Sequence, residues 1–205
     1  MSDKVLPSAK RIVCYGDSNT YGYDPRGFLG GRYPEAVRWT GLLKRDGWDV
    51  INEGENGRSI PASERIRELT HRLIVRHEPF DLLCVMLGSN DLLMGSGFRA
   101  EDVAARMEAF LKDLLERGIA AEILLISPPA MRPGEWVYEE RLLTESARMN
   151  ACYEDAAKRL GVRFADASRW DPEMTFDGVH FTAEGHAAFA RGLARELQQI
   201  FGCSI

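Results

Sequence analysis

The chain has 205 residues, of which 45% are hydrophobic and 28% charged, so it can build the core of one globular domain without disulfide bonds. This composition excludes the disordered, collagen-like and membrane-spanning classes. The formal net charge of −5 at pH 7 lacks the basic excess of proteins that coat nucleic acid, and we therefore expect no nucleic-acid partner.

The start of the chain and its cysteines bear on cellular location. Residues 1–7 contain no apolar run of signal-peptide length, and no stretch approaches the roughly 18 uncharged apolar residues of a membrane span. We expect a soluble, cytoplasmic protein without membrane contact. Cys14, Cys84, Cys152 and Cys203 lie far apart and form no C-x-x-C pair, which predicts reduced thiols and neither a zinc site nor a redox motif.

Short apolar runs alternate with segments of helical period along the chain. The runs predict five buried strands, at 11–15, 48–51, 82–87, 123–126 and 162–165. Gly118 and Gly161 are placed to end two helices, and Thr182 is placed to cap the last one. Apolar residues that recur every three or four positions predict the sheet-facing side of each helix. They are, in chain order, Ile66, Leu69 and Leu73; Val103, Met107, Phe110, Leu111 and Leu114; Leu142, Met149, Tyr153, Ala156 and Leu160; and Phe189, Leu193, Leu197 and Ile200.

Strands that alternate with helices, through connections too long for hairpins, predict a parallel sheet covered on both faces. The expected fold is a three-layer α/β/α sandwich. No repeat, low-complexity tract or linker separates self-sufficient halves, which predicts a single domain over residues 1–205. Three long loops stand out, at 21–38, 88–99 and 128–138, and loops of this length inside a compact domain are commonly functional.

Polar segments follow the predicted strands. The first strand leads into residues 16–18, the second into 52–57, the third into 88–91, and the segment after the fifth contains 177–180. Because ligands bind beyond the carboxyl ends of parallel strands, we expect these four segments to meet on one rim of the sheet. Together they contain a candidate nucleophile, two glycine-containing turns and a carboxylate–imidazole pair, which are the groups that acyl transfer requires.

Four histidines are candidates for a general base. His71 and His77 lie among arginines on a predicted helix, which is typical of surface or helix-end histidines. His186 lies within the last helix and is predicted to be a packing or partly exposed residue. His180 therefore remains as the candidate.

A carboxylate stands close to His180 in the sequence. Asp177 precedes it by three residues across Gly178, and a tight turn of this spacing can place the carboxylate on the imidazole Nδ1 and leave Nε2 free as a base. An Asp-x-x-His pair is common and weak evidence by itself. Asp166 and Asp171 are rival partners, but neither has this short turn to His180.

The remaining candidates also have ordinary structural explanations. Ser18 could cap the segment that follows it, Gly57 could be a positive-φ turn residue, and Asn90 could form an Asx turn before a capping Asp91. Asp17 is expected to tighten its turn by accepting backbone N–H groups. Independent turn residues, however, have no reason to supply a nucleophile, an oriented base and oxyanion donors at successive strand ends, and their combination favours a catalytic site.

Other catalytic templates do not occur in the sequence. It contains no G-x-S-x-G, which speaks against the α/β-hydrolase fold, and no H-E-x-x-H, P-loop or G-x-G-x-x-G motif. We accordingly expect neither a metal nor a cofactor.

The four polar segments resemble the blocks of the SGNH (GDSL-type) hydrolase superfamily. They read Gly-Asp-Ser-Asn-Thr at 16–20, a glycine block at 52–57, Gly-Ser-Asn-Asp at 88–91 and Asp-Gly-Val-His-Phe-Thr at 177–182, in the order of that family. Further stretches at 37–41, 86–88 and 127–129 are similar to its bacterial arylesterase/acyltransferase branch. One departure is Asn19, which stands where the signature usually has Leu and bears on the packing under Ser18 or the shape of the acyl pocket.

The resemblance implies a role for each residue that matches a block. Ser18 would be the nucleophile, His180 the general base and acid, and Asp177 its orienting partner. The oxyanion hole would consist of the backbone N–H groups of Ser18 and Gly57 and the side-chain amide of Asn90. The resemblance also implies five parallel strands in the flavodoxin-like order 2-1-3-4-5.

These observations predict a serine esterase that hydrolyses, or transfers, short acyl groups of small aryl or alkyl esters through an acyl-enzyme on Ser18, without a cofactor. Three alternatives stay open. The chain could be a carbohydrate acetylesterase, a lysophospholipase or thioesterase, or a non-catalytic binder of a small anion that uses the same rim.

Aromatic and Met side chains of the long loops are candidates for pocket walls or for subunit contacts. They are Tyr21, Tyr23, Phe28, Trp39, Met131, Trp136 and Tyr138. Together with the short tail at 201–205, they make a homo-oligomer an open prediction.

Overall fold

Five parallel strands form the central sheet of the computed structural model, which describes residues 9–27, 31–119 and 121–202. The strands are β1 (Arg11–Gly16), β2 (Asp49–Gly54), β3 (Leu82–Met86), β4 (Glu122–Ser127) and β5 (Arg163–Asp166). Their order is β2-β1-β3-β4-β5, so the flavodoxin-like order and the α/β class are confirmed. The predictions made for residues 1–7, Phe28 and Cys203, and for the tail beyond 202, lie outside the described residues.

Helices cover both faces of this sheet. They are α1 (Ser18–Tyr21), α2 (Trp39–Arg45), α3 (Glu64–Val75), α4 (Ser89–Met94), α5 (Ala100–Glu116), α6 (Glu140–Leu160) and α7 (Ala183–Phe201). Side chains alternate along β1, so that Val13 and Tyr15 pack with α3, α5 and α6, whereas Ile12 and Cys14 pack with α2 and α7. Because both faces of the three inner strands are buried, β1, β3 and β4 are mainly apolar, whereas the edge strands β2 and β5 also contain polar and charged residues.

The helix ends agree with the sequence signals. The Thr182 hydroxyl accepts a hydrogen bond from the Gly185 backbone N–H at 3.0 Å and caps α7. Gly118 and Gly161 follow α5 and α6 with φ of 78° and 68°, the left-handed conformation that ends many helices. These predicted boundaries are therefore confirmed.

The predicted sheet-facing side of α3 is wrong at two positions. Ile66 and Leu69 are about half exposed, whereas Thr70 and Ile74 are buried and Leu73 packs at the edge of the core. The apolar period marks the correct face of α3. The amino-terminal half of that face, however, borders an open groove next to residues 55–59 instead of packing on the sheet. The spacing of apolar residues predicts the direction in which a helix side chain points, but not whether a neighbouring element extends far enough to cover it.

Two of the predicted long loops contain regular structure. Loop 21–38 includes an antiparallel pair, Tyr23–Asp24 with Gly31–Arg32, and loop 88–99 includes α4. The helices α1, α2 and α4 have four, seven and six residues, which is too short for a helical period to be recognised. Loop 128–138 is irregular in its described structure apart from a bridge between Gly134 and Val137.

Candidate active site

Ser18 lies at the carboxyl end of β1, where the strand turns into α1. Asp17 caps this helix by accepting a hydrogen bond from the Asn19 N–H at 3.0 Å, as expected for a residue that tightens the turn. Ser18 is therefore not the cap, and its hydroxyl is available for other contacts. As the first residue of α1, Ser18 also has a backbone N–H without an acceptor inside the helix.

Ser18, His180 and Asp177 form a continuous chain of hydrogen bonds. The Ser18 Oγ lies 2.9 Å from His180 Nε2, and His180 Nδ1 lies 2.7 Å from Asp177 Oδ2. The His180 and Asp177 side chains are almost completely buried, and the Ser18 residue is 6% exposed. Ser18 and His180 are 162 positions apart in the sequence, and the sheet order brings their segments to the same rim.

The environment of Asp177 keeps its carboxylate ionised. Burial opposes ionisation, but hydrogen bonds from the His180 ring and from the backbone of His180 and Val179 lower its pKa to about 2. Asp177 Oδ1 accepts from the N–H groups of Val179 and His180 at 2.9 Å and from the Thr175 hydroxyl at 2.8 Å. An ionised Asp177 accepts the Nδ1 proton of His180, and Nε2 is then the nitrogen that can take the Ser18 proton.

Gly57 and Asn90 line the same cavity as Ser18 and His180. Gly57 has a φ of 72°, the left-handed conformation expected of a turn glycine. The Asn90 amide nitrogen donates one hydrogen bond to the Arg58 carbonyl oxygen at 3.0 Å, and an amide has a second N–H to offer. The structure thus brings four of the five predicted residues to one cavity and places Asp177 behind His180.

Arg58 holds the glycine turn against β1, a role that the sequence reasoning did not predict. Its Nη1 donates to the carbonyl oxygens of Gly16, at 2.9 Å, and Glu53. Its Nη2 pairs with Glu55 at 2.6 Å, and the guanidinium lies 4.3 Å from the Tyr15 ring centroid. The only sequence signal is an arginine next to Gly57, which has no distinguishing pattern.

The cavity has a volume of about 570 Å³, and its wall is mainly apolar. Of the predicted loop residues, Tyr23, Trp136 and Tyr138 line it. The sequence reasoning missed four further wall residues, Asn56, Leu93, Met94 and Glu135. Leu93 and Met94 belong to α4, and this short helix was itself not predicted.

The other predicted loop residues lie elsewhere. Trp39 is buried and donates from Nε1 to the Asn19 carbonyl oxygen, Met131 is buried in the core, and Tyr21 lies under the Arg32 guanidinium at 4.1 Å. Phe28 lies outside the described residues. Loop aromatics by themselves therefore predict wall residues poorly.

Two aromatic rings flank the His180 imidazole. The Tyr23 ring centroid lies 4.7 Å from the imidazole centroid, and the Trp136 ring meets it edge-on at 5.0 Å. Hydrogen bonds from the Glu135 and Trp136 N–H groups to the carbonyl oxygens of Phe176 and Asp177 fasten loop 128–138 to the turn that carries His180. The loop thus supplies part of the cavity wall and packs directly against the His180 ring.

Four of the other candidate histidines and carboxylates have structural contacts, whereas His71 on α3 has a buried Nε2 without a hydrogen-bond partner among the described residues. His77 pairs with Glu53 at 2.6 Å near the end of α3. His186 is fully buried, and burial together with the nearby Arg38 charge lowers its pKa to about 3, so it is neutral and serves packing. Asp166 caps the 3₁₀ turn Ala167–Trp170. Asp171 pairs with Arg132 at 3.1 Å.

The described residues offer neither a cluster of metal ligands nor a membrane-spanning helix. No group of three or more His, Cys, Asp or Glu side chains there is arranged to hold a metal ion. Across the same ranges, no helix combines the length and hydropathy needed to span a membrane.

Known structures resemble this chain over nearly its whole length. The aryl esterase of M. smegmatis is 28% identical, with a TM-score of 0.80, and the match covers 93% of this chain and 99% of that one. A putative arylesterase from Agrobacterium tumefaciens is also 28% identical, with the same coverage and a TM-score of 0.81. Est24, a carbohydrate acetylesterase from Sinorhizobium meliloti, is 25% identical over 93% and 99% of the two chains, with a TM-score of 0.78. A search of curated proteins finds no significant match.

The fold and the site together define the class of serine ester hydrolases with a flavodoxin-like sheet. The GDSL-like lipase/acylhydrolase family matches residues 14–188, and the chain belongs to this family. Its membership and its structural relatives agree in assigning an esterase activity.

Proposed function

We propose that Ser18, His180 and Asp177 are the catalytic triad of an esterase that acts on short acyl groups of small aryl or alkyl esters. The observation that carries the proposal is the 2.9 Å contact between Ser18 Oγ and His180 Nε2, oriented by the 2.7 Å bond to Asp177, at the edge of an accessible cavity. A hydroxyl paired with an oriented imidazole is the arrangement of an activated nucleophile.

The reaction follows from this geometry in two halves. His180 Nε2 takes the Ser18 proton as Oγ bonds to the ester carbonyl carbon, and the carbonyl electron pair moves onto oxygen. Collapse of this intermediate expels the alcohol, which receives the proton from His180 and leaves an acyl-enzyme. Water then attacks with His180 as base, and Ser18 Oγ leaves and regains its proton.

Three N–H groups are proposed to stabilise the oxyanion, namely the backbone N–H groups of Ser18 and Gly57 and the amide of Asn90. Support comes from their common position around one cavity and from the second amide proton of Asn90. Donors that are fixed before the reaction stabilise developing charge without a reorganisation cost.

The walls of the cavity support small aryl or alkyl esters. Tyr23, Trp136 and Tyr138 contribute aromatic side chains, and Leu93 and Met94 contribute apolar ones. This arrangement favours aryl and small alkyl esters with short acyl groups.

A carbohydrate acetylesterase is the second candidate. Glu135 and Asn56 stand among the aromatic side chains of the same wall and can hydrogen-bond sugar hydroxyls, and Est24 is described as a carbohydrate acetylesterase. A series of p-nitrophenyl esters of increasing acyl length, assayed beside an acetylated sugar, distinguishes these candidates. A preference for long acyl chains would contradict both and favour a lysophospholipase or thioesterase.

The triad itself is tested with Ser18→Ala. We expect the variant to fold, to lose nearly all hydrolysis of p-nitrophenyl acetate, and to escape labelling by a fluorophosphonate. The wild-type protein should take up one label, located on Ser18 by mass spectrometry. Equal turnover by the two proteins would refute the proposal, and an unlabelled wild type that binds small anions tightly would favour the non-catalytic binder.

Transfer to alcohols, self-association and a cytoplasmic location stay predictions. Product analysis in the presence of an added alcohol, light scattering and cell fractionation test them in turn. We also expect no nucleic-acid partner, given the net charge of −5.

A further inference from the structure

Asn19, the residue that departs from the usual signature, contacts the catalytic histidine turn and not the cavity. Its side-chain nitrogen donates to the Val179 carbonyl oxygen at 3.0 Å, and its side-chain oxygen accepts from the Phe181 N–H at 3.0 Å. One amide group therefore binds the residues directly before and directly after His180. Asn19 is buried and does not belong to the cavity wall, so it leaves the shape of the acyl pocket unchanged.

The backbone N–H and C=O groups of Asn19 are both hydrogen-bonded. Its backbone N–H donates to Asp17 at 3.0 Å, and its carbonyl oxygen accepts from Trp39 Nε1 at 2.9 Å. Trp39 is itself fully buried, with its ring 4.9 Å from that of Phe189. The side-chain amide thus extends from a rigid anchor that immediately follows Ser18.

The two backbone groups that Asn19 binds are buried with the residues that carry them. Phe181 and Val179 are 0% and 5% exposed. A buried N–H or C=O that loses its partner bears the full cost of its desolvation, so the turn would have to rearrange to recover the bonds. Only a side chain with a donor and an acceptor at this length satisfies both groups: Leu offers neither, and Asp offers no donor when ionised.

We propose that Asn19 is a positioning residue that sets the distance between Ser18 Oγ and His180 Nε2. Asn19 is joined to Ser18 by a peptide bond and to the residues on either side of His180 by two hydrogen bonds. These bonds connect the proposed nucleophile to the proposed base over a short path. The turn around Asp177 orients the imidazole. Among the described residues, this turn is joined to α1 by the Ser18–His180 contact itself and by the two side-chain bonds of Asn19, so Asn19 supplies the links that do not involve the reacting groups. This inference depends on the proposed triad.

Both halves of the reaction use His180 Nε2, so misplacement slows acylation and deacylation together. We therefore expect Asn19→Leu and Asn19→Asp to lower kcat for p-nitrophenyl acetate by about 10- to 100-fold, with KM within about threefold of wild type. The rate constant of fluorophosphonate labelling should fall in parallel, because labelling needs the same activated hydroxyl. Asn19→Asp keeps the size and the acceptor, so it tests the lost donor even if Asn19→Leu folds poorly.

Trp39→Phe is the matched control. It removes the hydrogen bond to the Asn19 carbonyl oxygen but leaves the bond from the Asn19 N–H to Asp17, which still anchors the residue, and both side-chain bonds to the His180 turn. We expect a lower Tm with kcat within about threefold of wild type.

Three results would overturn the positioning role. They are a folded Asn19 variant with kcat within threefold of wild type, a change confined to KM, and a loss of kcat in Trp39→Phe as large as in Asn19→Leu. Ser18→Ala separates this inference from the proposed triad, because an inactive Ser18→Ala beside a fully active Asn19→Leu would reject only the role of Asn19.

Discussion

Asp17 is buried directly beside Ser18, the proposed nucleophile, and burial raises the pKa of its carboxyl group to about 6 although the Asn19 N–H donates to it. The folded protein therefore holds this proton more tightly than the unfolded chain. Its contribution to stability is complete below about pH 4 and is lost as the pH rises through about 6. The loss amounts to something on the order of 3 kcal/mol.

Asp17→Asn should remove this pH dependence, because Asn keeps the capping oxygen without a titrating charge. We expect the free energy of unfolding of the wild type, measured in urea, to fall relative to that of the variant between pH 4.5 and 7.5. The depressed pKa of His186 changes stability in the opposite direction over this range, but His186 is common to both proteins and cancels in the difference. Asp171→Asn, in an exposed carboxylate, serves as the control and should follow the wild type. Parallel curves for wild type and Asp17→Asn would contradict the prediction.

Asp177 has the opposite effect on the pH dependence of stability, and it acts at lower pH. Its pKa is depressed to about 2, so its contribution to stability is present above about pH 4 and is lost as the pH falls toward 2. The two carboxyl groups therefore affect stability in separate windows, and measurements above pH 4.5 report Asp17 without interference from Asp177.

Asn90 offers a test of the proposed oxyanion hole. Asn90→Ala should fold and bind substrate with little change in KM, whereas kcat falls by roughly 10²- to 10³-fold, because one donor to the developing charge is lost. Steady-state kinetics with p-nitrophenyl acetate measures this. Asn150→Ala, which removes an amide bonded to Asp166 at 3.2 Å, is the control and should retain wild-type kcat. A KM effect without a kcat effect would place Asn90 in ground-state binding instead.

At the scale of elements, the turn that carries Asp177 and His180 approaches loop 128–138 so closely that only glycine fits at two positions. Gly178 has a φ of 80°, and a Cβ built there would lie 2.1 Å from the Arg132 carbonyl oxygen. A Cβ on Gly134 would lie 2.4 Å from the Asp177 carbonyl carbon. These two glycines let the loop lie against the turn that carries His180.

Gly178→Ala should therefore lower the free energy of unfolding by more than the strain of its left-handed backbone conformation alone would. Gly161→Ala is the matched control: it has a similar φ of 68° but no atom within 4 Å of the added Cβ. We expect Gly161→Ala to lower the free energy of unfolding by roughly 1–2 kcal/mol and Gly178→Ala by about 1–3 kcal/mol more, with a loss of kcat only in Gly178→Ala. Equal effects of the two on stability and kcat would show that the close approach is unimportant.

At the scale of the whole molecule, one sheet separates two apolar layers. Phe110 is buried with α5 on one face, and Phe189 is buried with α7 on the other. Both layers pack on the same five strands. Losing either layer would expose the face of the sheet that it covers and so destabilise the strands on which the other layer packs. We infer that residues 1–205 act as a single domain that unfolds cooperatively.

Phe110→Ala and Phe189→Ala test this inference from opposite faces. Each should lower the free energy of unfolding by about 3–5 kcal/mol, and urea transitions followed by circular dichroism and by tryptophan fluorescence should coincide. Trp39, Trp48 and Trp170 lie in the α7 layer, so fluorescence mainly reports that face. Leu115→Ala, at a partly exposed position, should change stability little. Separate transitions for the two probes would indicate independent units.

The sequence alone determined the features that depend on local order along the chain. Strand and helix periods, the Thr182 cap and the Asp177–His180 turn all involve residues a few positions apart, so their physical causes are visible in the sequence. The four motif blocks also predicted that Ser18, Gly57 and Asn90 lie on one rim, because parallel strands deliver their carboxyl ends to the same edge, and the three residues line one cavity.

Only the tertiary structure decided the features that depend on contacts between distant segments. The bonds from Asn19 to Val179 and Phe181 span about 160 positions, and no local pattern encodes them. The same is true of Arg58 on β1 and of the exposed Ile66 on α3, since both depend on where neighbouring elements end. A side chain's direction follows from its own segment, but its partner follows from the packing of the entire fold.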